Sequence, residues 1–356
     1  MSTDLNKILK QFGIEVETAP YGNGHINATY LVQSDPPTIL QRINTDVFKN
    51  PYHVMENIAA VTAHLRKKIV AAGGDPMRET LTVVPTVNGD PLYIDDDGSA
   101  YRVFYFIQNA KSFDTAETPE LFAASAHGFG KFQQMLADFP AHTLHEVIPK
   151  FHDTGDRLRQ FREALEKNAA GRADAVRAEI DFVLSHANCV SVVTDAIADG
   201  SVPLRVTHND TKLNNVMMDD TTNKPVCVID LDTVMPGSLL YDFGDALRFG
   251  ASTGAEDETD LSKIEFDLTY FEAFTKAFLE EVGDSITPRE RELLPFSALL
   301  MTLECGMRFL ADHLNGDVYF RILRESHNLD RARTQFKLVA DMEQKMNQMT
   351  VIVAKY

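Results

Sequence analysis

V-T-H-N-D-T-K-L-N-N-V-M-M-D-D-T-T-N-K-P-V-C-V-I-D-L-D, residues Val206–Asp232, is the stretch around which the chain is organised. An apolar strand, Leu204–Thr207, ends at His208. Asp210 follows in a loop, with Lys212 and then Asn215 close behind, and a second apolar strand, Val226–Ile229, delivers Asp230. Taken singly, Asp210 and Asn215 read as turn residues and Asp230 as the end of a buried strand. In this order they match H-x-D-x-K-x-x-N, a turn-rich gap, and an apolar run closing on Asp, which is the layout of a phosphoryl-transfer loop and its metal-binding carboxylate.

That chemistry needs these residue types. A hydroxyl attacking a γ-phosphate must give its proton to a carboxylate within hydrogen-bond reach, and Asp210 is the candidate base. ATP is attacked only when Mg²⁺ bridges its phosphate oxygens. Mg²⁺ prefers hard oxygen ligands and keeps several waters, so Asn215 and Asp230 suffice as protein ligands. Lys212 is placed to neutralise charge on the transferred phosphate.

A chain of 356 residues is long for one core and suits two domains, drawn here as 1–109 and 110–356. Lys+Arg 34 against Asp+Glu 52 gives a net charge of -18, which argues against nucleic acid and anionic membrane as partners but not against ATP. Cys189, Cys227 and Cys305 are far apart and make neither a disulfide framework nor a zinc motif. No signal-peptide core is read at the N-terminus, and no apolar run is read as approaching a membrane span. A cytoplasmic monomer is the expectation.

The remaining elements follow from periodicity. Leu5–Phe12 reads as a short helix, with strands at Ala28–Val32 and Thr38–Ile43 on either side of a turn. The loop before them carries Gly22 and Gly24, whose backbone N–H groups can approach phosphates; as an isolated signal a hairpin turn explains it better, but its position near the N-terminus, a lobe's length ahead of the Asp210 loop, makes it the expected nucleotide-covering loop. The strand Ile39-Leu40-Gln41-Arg42-Ile43 lacks the Lys expected to pair with the phosphates, so Gln41 or Arg42 must stand in, and alternation does not choose between them. Helix Val54–Val70 carries Glu56, read as an exposed surface residue. Strands are expected at Thr80–Pro85, Leu92–Ile94 and Ala100–Phe106, with Asp95-Asp96-Asp97-Gly98 a hairpin turn rather than a calcium loop. Tyr105–Gln108 is the expected hinge meeting the adenine. Beyond it the pattern is helical: Pro119–Phe139, Asp156–Lys167, Ala173–Ser185, Val190–Ala198, Tyr270–Glu281, Pro288–Leu310 and Leu329–Val353.

The loop Gly22–Asn27, H-N-D-T-K-L-N-N, and the block I-D-L-D-T-V-M-P-G-S-L-L-Y-D-F-G-D-A-L-R-F-G resemble the aminoglycoside phosphotransferase and choline kinase superfamily. Within it the long second block is most similar to the sugar 1-kinases, and the likeness extends to E-C-G-M-R-F-L-A-D at Glu304–Asp312. The resemblance implies an α+β, protein-kinase-like two-lobe fold with a small antiparallel-sheet lobe and a larger helical lobe. It also implies transfer of the γ-phosphate of ATP, with Mg²⁺, to the anomeric hydroxyl of N-acetylglucosamine or N-acetylgalactosamine.

By the same resemblance Arg308 and Tyr319 would lie near the ring hydroxyls, Phe249 against the sugar or its acetamido group, and Ile26 and Thr233 at the pocket mouth. Plain helix core is the alternative for Phe249. Arg308, set among Met307, Phe309 and Leu310, needs a buried partner or a ligand. Asp232 is an assistant to the metal, while Asp242 and Asp245 are braces for the loop. Other acceptors of the superfamily remain open: an aminoglycoside, homoserine or choline. Choline would want an aromatic cage, and Trp is absent. A non-catalytic pseudokinase would be expected to have lost the base or a metal ligand.

Overall fold

The structure, a computed structural model, describes residues 5–16, 18–21 and 27–356. Gly22, Gly24 and Ile26 lie outside the described residues. The chain divides into two compact units. Unit 1 comprises Met1–Ser112, Asp138–Pro149 and Asn215–Pro236; unit 2 comprises Phe113–Ala137, Lys150–Asn214 and Gly237–Tyr356. The first crossing, at Ser112/Phe113, falls three residues past the boundary drawn from sequence, and two later segments return to unit 1.

Unit 1 is built on an antiparallel sheet in the order β1-β2-β3-β6-β4, with β5 also paired to β6. Its strands are β1 (Thr18–Pro20), β2 (Ala28–Val32), β3 (Thr38–Ile43), β4 (Val83–Val84), β5 (Tyr93–Ile94) and β6 (Ala100–Tyr105). Helix α1 (Leu5–Lys10) buries Ile8 and Leu9 in a cluster with Val32, Leu40, Tyr101 and Val103. Register across β3 and β6 pairs Gln41 with Arg102 and Arg42 with Tyr101. Because side chains alternate along a strand, Gln41 and Arg102 share one face and Arg42 takes the other.

Helix α2 (Pro51–Ala71) starts where Asn50 accepts hydrogen bonds from the backbone N–H groups of Tyr52 and His53, with Pro51 in the first turn. It buries Val54, Met55, Ile58, Val61 and Leu65, the i, i+3, i+4 stripe of an amphipathic helix. After the short helix α3 (Pro76–Glu79), the unit is completed by the antiparallel order β10-β9-β7: β7 (Ala110–Lys111), β9 (Val216–Asp219) and β10 (Pro225–Val228). The sequence reading expects β10 but neither β7 nor β9.

Unit 2 is helical: α4 (Pro119–Met135), α5 (Thr154–Lys167), α6 (Arg177–Ser185), α7 (Val192–Ala198), α8 (Leu239–Gly250), α9 (Leu268–Val282), α10 (Pro288–Asn315) and α11 (His327–Ala354), with strand β8 (Arg205–Thr207). Helix α10 opens on a capping box of Thr287 and Glu290 and closes on Gly316, whose φ of 96° is left-handed. Glu290 is buried because it also binds Arg205 of β8, at 2.6 and 2.8 Å. By length and composition α10 is apolar enough to cross a membrane, contrary to the sequence reading, but 83% of that window is buried inside the fold. It is the core helix of the unit.

Helix α8 was not expected from sequence. Its polar residues Asp242, Asp245 and Arg248 recur every third position opposite Leu239, Leu240, Phe243 and Leu247, and this polar face too is buried inside the unit. Gly244 has a packing reason: a Cβ there would collide with the Ser297 carbonyl of α10.

Candidate active site

In unit 2, β8 leads into His208, Asn209 and Asp210. His208 is fully buried, edge-on to Phe129 and Phe132 of α4. Asn209 takes a left-handed φ of 67°, a conformation that Asn tolerates better than most residues, and this turns the chain so that Asp210 emerges partly exposed. The turn is held from beneath by α8. Asp242 Oδ2 accepts from His208 N at 2.9 Å and from Gln133 Nε2 at 2.6 Å. Asp242 Oδ1 accepts from Asn209 N at 2.8 Å. Asp245 Oδ2 accepts from Thr211 N at 3.1 Å, and Thr211 Oγ1 donates to the Asp242 carbonyl at 2.6 Å. The bracing expected of Asp242 and Asp245 is therefore what the structure contains.

The electrostatics follow from burial. Burial pushes the Asp242 carboxyl above the usual carboxylate range, against the pull of His208 and of the N–H donors. Asp245 is as deeply buried, yet Arg248, Lys212 and His152 together hold it below that range. Lys212 lies 2.7 Å from Asp210 Oδ1. Burial works against its charge, but Asp210 and then Asp245 outweigh it and raise the ammonium above its ordinary value. The base candidate thus carries a fixed cation beside it.

A second brace comes from α10 and was not foreseen. His152 has Nδ1 2.8 Å from Glu304 Oε1 and Nε2 3.3 Å from the Asn209 carbonyl, while Thr154 Oγ1 donates to Glu304 Oε2 at 2.6 Å. Burial would raise Glu304, but His152 and Arg308 hold it below its ordinary 4.5. A carboxyl depressed on folding stabilises the fold above its unfolded pKa and loses that contribution as pH falls through the folded value. Glu304→Gln is therefore expected to be less stable than wild type at pH 7. In denaturant melts the gap should narrow once pH falls below about 4.5. A gap independent of pH would show that Glu304 acts by shape alone.

The metal-ligand candidates stand in unit 1. Asn215 is buried immediately before β9, and its carbonyl accepts from Ile229 N at 2.9 Å, which ties it to the residue before Asp230. Asp230 is exposed and holds a left-handed φ of 57°. Asp232, two residues on, is buried; its Oδ2 accepts from Asn27 Nδ2 at 2.6 Å. Its Oδ1 is 2.5 Å from Arg102 Nη1, as an ion pair without an aligned hydrogen bond to any described residue. Asn215 and Asp230 thus offer an amide oxygen and a carboxylate, the hard-oxygen donor types that Mg²⁺ takes, on segments tied together by the backbone bond between Asn215 and Ile229.

Arg102 is the residue that sequence reasoning missed. It is fully buried in β6, donates from Nε and Nη2 to Gln41 Oε1 at 3.0 and 2.8 Å, and stacks over Phe104. Gln41 in turn donates to Thr29 Oγ1 at 3.2 Å. Arg42 faces the other way and is engaged by Ser99 Oγ at 2.7 and 3.1 Å. So the cation on the Asp232 side comes from β6, not from the strand where a Lys was sought. A lone Arg in A-Y-R-V-F-Y was the available signal, since an Arg in an apolar strand demands a buried partner. Glu56 is exposed, as expected, and pairs with His145.

Of the expected acceptor-pocket residues, Arg308 and Tyr319 come together in unit 2. The Arg308 guanidinium lies 5.5 Å from the ring centres of both Phe151 and Phe320, and Tyr319 packs edge-on to Phe320 at 4.7 Å. Asp312 positions this loop, accepting from the backbone N–H groups of Val318, Tyr319 and Phe320 at 2.9 to 3.0 Å. Tyr319 is 66% exposed and Phe249 37%, so Phe249 is not plain helix core. Thr233 is buried in unit 1, next to Asp232.

The profile of the phosphotransferase enzyme family (APH) matches residues 17–281. Among solved structures, the chain is similar to an aminoglycoside phosphotransferase from Alicyclobacillus acidocaldarius, with a TM-score of 0.66 at 13% identity over 98% of this chain and 96% of that one. A microcompartment-associated aminopropanol kinase gives 0.60 at 15% identity over 98% of both chains. A choline/ethanolamine kinase family protein from Mesorhizobium loti gives 0.54 at 17% identity over 96% and 93%. At these identities the structural likeness establishes the α+β fold, a small antiparallel-sheet lobe with a larger helical lobe. With most of its length matched by the family profile, this chain belongs to the phosphotransferase enzyme family.

Proposed function

We propose that the chain is an ATP-dependent, Mg²⁺-requiring kinase that phosphorylates the anomeric hydroxyl of an N-acetylhexosamine, N-acetylglucosamine or N-acetylgalactosamine, to give the sugar 1-phosphate. The observation that carries the phosphoryl-transfer part is Asp210, partly exposed on a loop that Asp242 and Asp245 hold by its backbone, with Lys212 at 2.7 Å. Asp210 accepts the proton of the attacking hydroxyl, and Lys212 balances charge on the phosphate in transfer. Asn215 and Asp230 would hold Mg²⁺, which when bound neutralises the triphosphate oxygens. Arg102 holds the Asp232 carboxylate in place through their ion pair. ATP as donor is supported by a spectinomycin phosphotransferase of the same fold, solved with ADP and spectinomycin.

The acceptor rests on the D-T-V-M-P-G-S and D-F-G-D-A-L-R-F-G block and on the chemistry around Arg308. A cationic acceptor such as choline or aminopropanol needs open aromatic faces or carboxylates. Here the faces of Phe151 and Phe320 are already taken by a guanidinium, which repels an ammonium and suits neutral hydroxyls or a carbonyl. The solved kinases of amino alcohols make that acceptor class the second reading.

The deciding experiment measures ADP release with Mg²⁺–ATP against both N-acetylhexosamines, choline, aminopropanol, homoserine and kanamycin, followed by phosphorus NMR of the product. Turnover on a sugar with an anomeric phosphate is the expected result; turnover only on an amine overturns the acceptor. Arg308→Ala should raise the sugar KM by about 10- to 100-fold, the range for one hydrogen bond to a charged group, with kcat little changed. An unchanged KM would remove Arg308 from the pocket.

A further inference from the structure

Unit 1 carries a cluster that phosphoryl transfer does not use. His53 and Glu56 lie three apart on α2, so they share a face of the helix. His145, from the segment Asp138–Pro149, lies against them: its ring stacks on His53 with centroids 3.9 Å apart and planes 5° from parallel. His145 Nε2 is 2.6 Å from Glu56 Oε2. One donor atom from each of the three residues falls within 4.8 Å of the others. The arrangement is built, not accidental crowding of flexible side chains. Asn57, buried beside Glu56, accepts from His145 N at 2.8 Å and donates to His145 O at 2.8 Å, so the backbone of His145 is clamped to the helix.

We propose that His53, Glu56 and His145 bind a divalent transition-metal ion of the zinc class, using none of the residues placed in phosphoryl transfer. Two imidazoles and a carboxylate are the borderline donor set that such an ion prefers, whereas Mg²⁺ would choose oxygens alone. Tetrahedral bonds of about 2.0–2.1 Å put donor atoms about 3.3 Å apart, so the His145–Glu56 pair, now at 2.6 Å, must open slightly and the stacked rings must turn until their lone pairs converge. Side-chain rotation supplies that movement, because Glu56 and His145 are 58% and 39% exposed and water can fill the remaining position. The ion takes a ring lone pair from each histidine, and the proton between His145 and Glu56 moves to the other ring nitrogen or to solvent.

The site has a route to the rest of the unit. The same Asn57 Nδ2 donates to the Val234 carbonyl at 2.9 Å, just past Asp232 and Thr233. An ion that fixes His145 against α2 therefore also fixes one anchor of the segment bearing Asp232.

The test uses the full-length protein in excess Mg²⁺, titrated with Zn²⁺ by calorimetry and with Co²⁺ by visible absorption. One equivalent should bind, with a Co²⁺ band of tetrahedral intensity and a raised thermal midpoint. His53→Ala and His145→Ala should each weaken binding by about 100-fold or more, since even outer-shell changes cost about 10- to 100-fold. Glu56→Gln, an exposed conservative change, should also weaken it while circular dichroism stays at wild type. Absence of stoichiometric binding to wild type, or wild-type affinity in Glu56→Gln and either histidine variant, overturns the proposal and leaves the cluster a surface His–Glu pair.

Discussion

Asp210→Asn is expected to lower kcat by about 10²- to 10⁴-fold, the usual contribution of a positioned general base, with little change in the KM for acceptor or ATP. The amide keeps the size of the side chain and one acceptor oxygen, but it cannot take the hydroxyl proton. It also removes the negative partner 2.7 Å from Lys212, so the lysine loses the carboxylate that raises its pKa. Because Asp242 and Asp245 hold the loop backbone, the fold should survive intact. Steady-state kinetics and a nucleotide-binding titration check both halves. Near-wild-type kcat would sink the base assignment; lost nucleotide binding would mean that the effect was structural.

Asp242→Asn should produce the largest loss of stability of any single conservative change near the loop, about 3 kcal/mol. Asp242 is fully buried and its two oxygens accept from three N–H donors: His208 N, Asn209 N and Gln133 Nε2. An asparagine offers one oxygen and one NH₂ group, so whichever way it turns, a donor faces a donor. The group left unsatisfied cannot reach water. Activity should fall as well, because the Asn209 turn that aims Asp210 loses part of its support. Chemical denaturation gives the first quantity and kcat the second. A variant with wild-type stability would mean that the loop backbone is held by its other contacts, chiefly those of His152 and Thr211.

The two variants separate aiming from reacting. Loss of kcat in Asp210→Asn with stability intact, against loss of both in Asp242→Asn, is the pattern the geometry implies.

Much of this was open to a reader of the sequence, for identifiable reasons. Strands Ala28–Val32 and Thr38–Ile43 were placed to the residue because β-branched and apolar residues alternate between turns. The helices of the C-terminal part were found where apolar residues recur at three and four and a cap or proline marks the start, as at Thr287-Pro288. Asp210, Lys212, Asn215 and Asp230 could be singled out because their order and spacing, in a loop and at the end of the following strand, is itself the signal.

What failed were elements whose logic is tertiary. Strand β7 is two residues long and exists only because β9 offers an edge. Helix α8 carries an apolar stripe, Leu239, Leu240, Phe243 and Leu247, but its opposite, polar face is buried as well, and only the fold shows that its carboxylates face the loop and not solvent. Gln41 and Arg42 were inseparable until the pairing with β6 put Gln41 opposite Arg102.

Sequence by itself determined the order of residues in the H-x-D-x-K-x-x-N loop, which is written in local spacing, and through the resemblance carried by its motif blocks it implied the α+β class and the phosphotransferase family. Tertiary structure alone decided which cation meets Asp232, which backbone N–H groups Asp242 and Asp245 hold from beneath the loop, and that His145 closes on His53 and Glu56. Those are contacts between residues 33 to 130 positions apart, where burial and hydrogen-bond geometry select the partner and no local propensity records the choice.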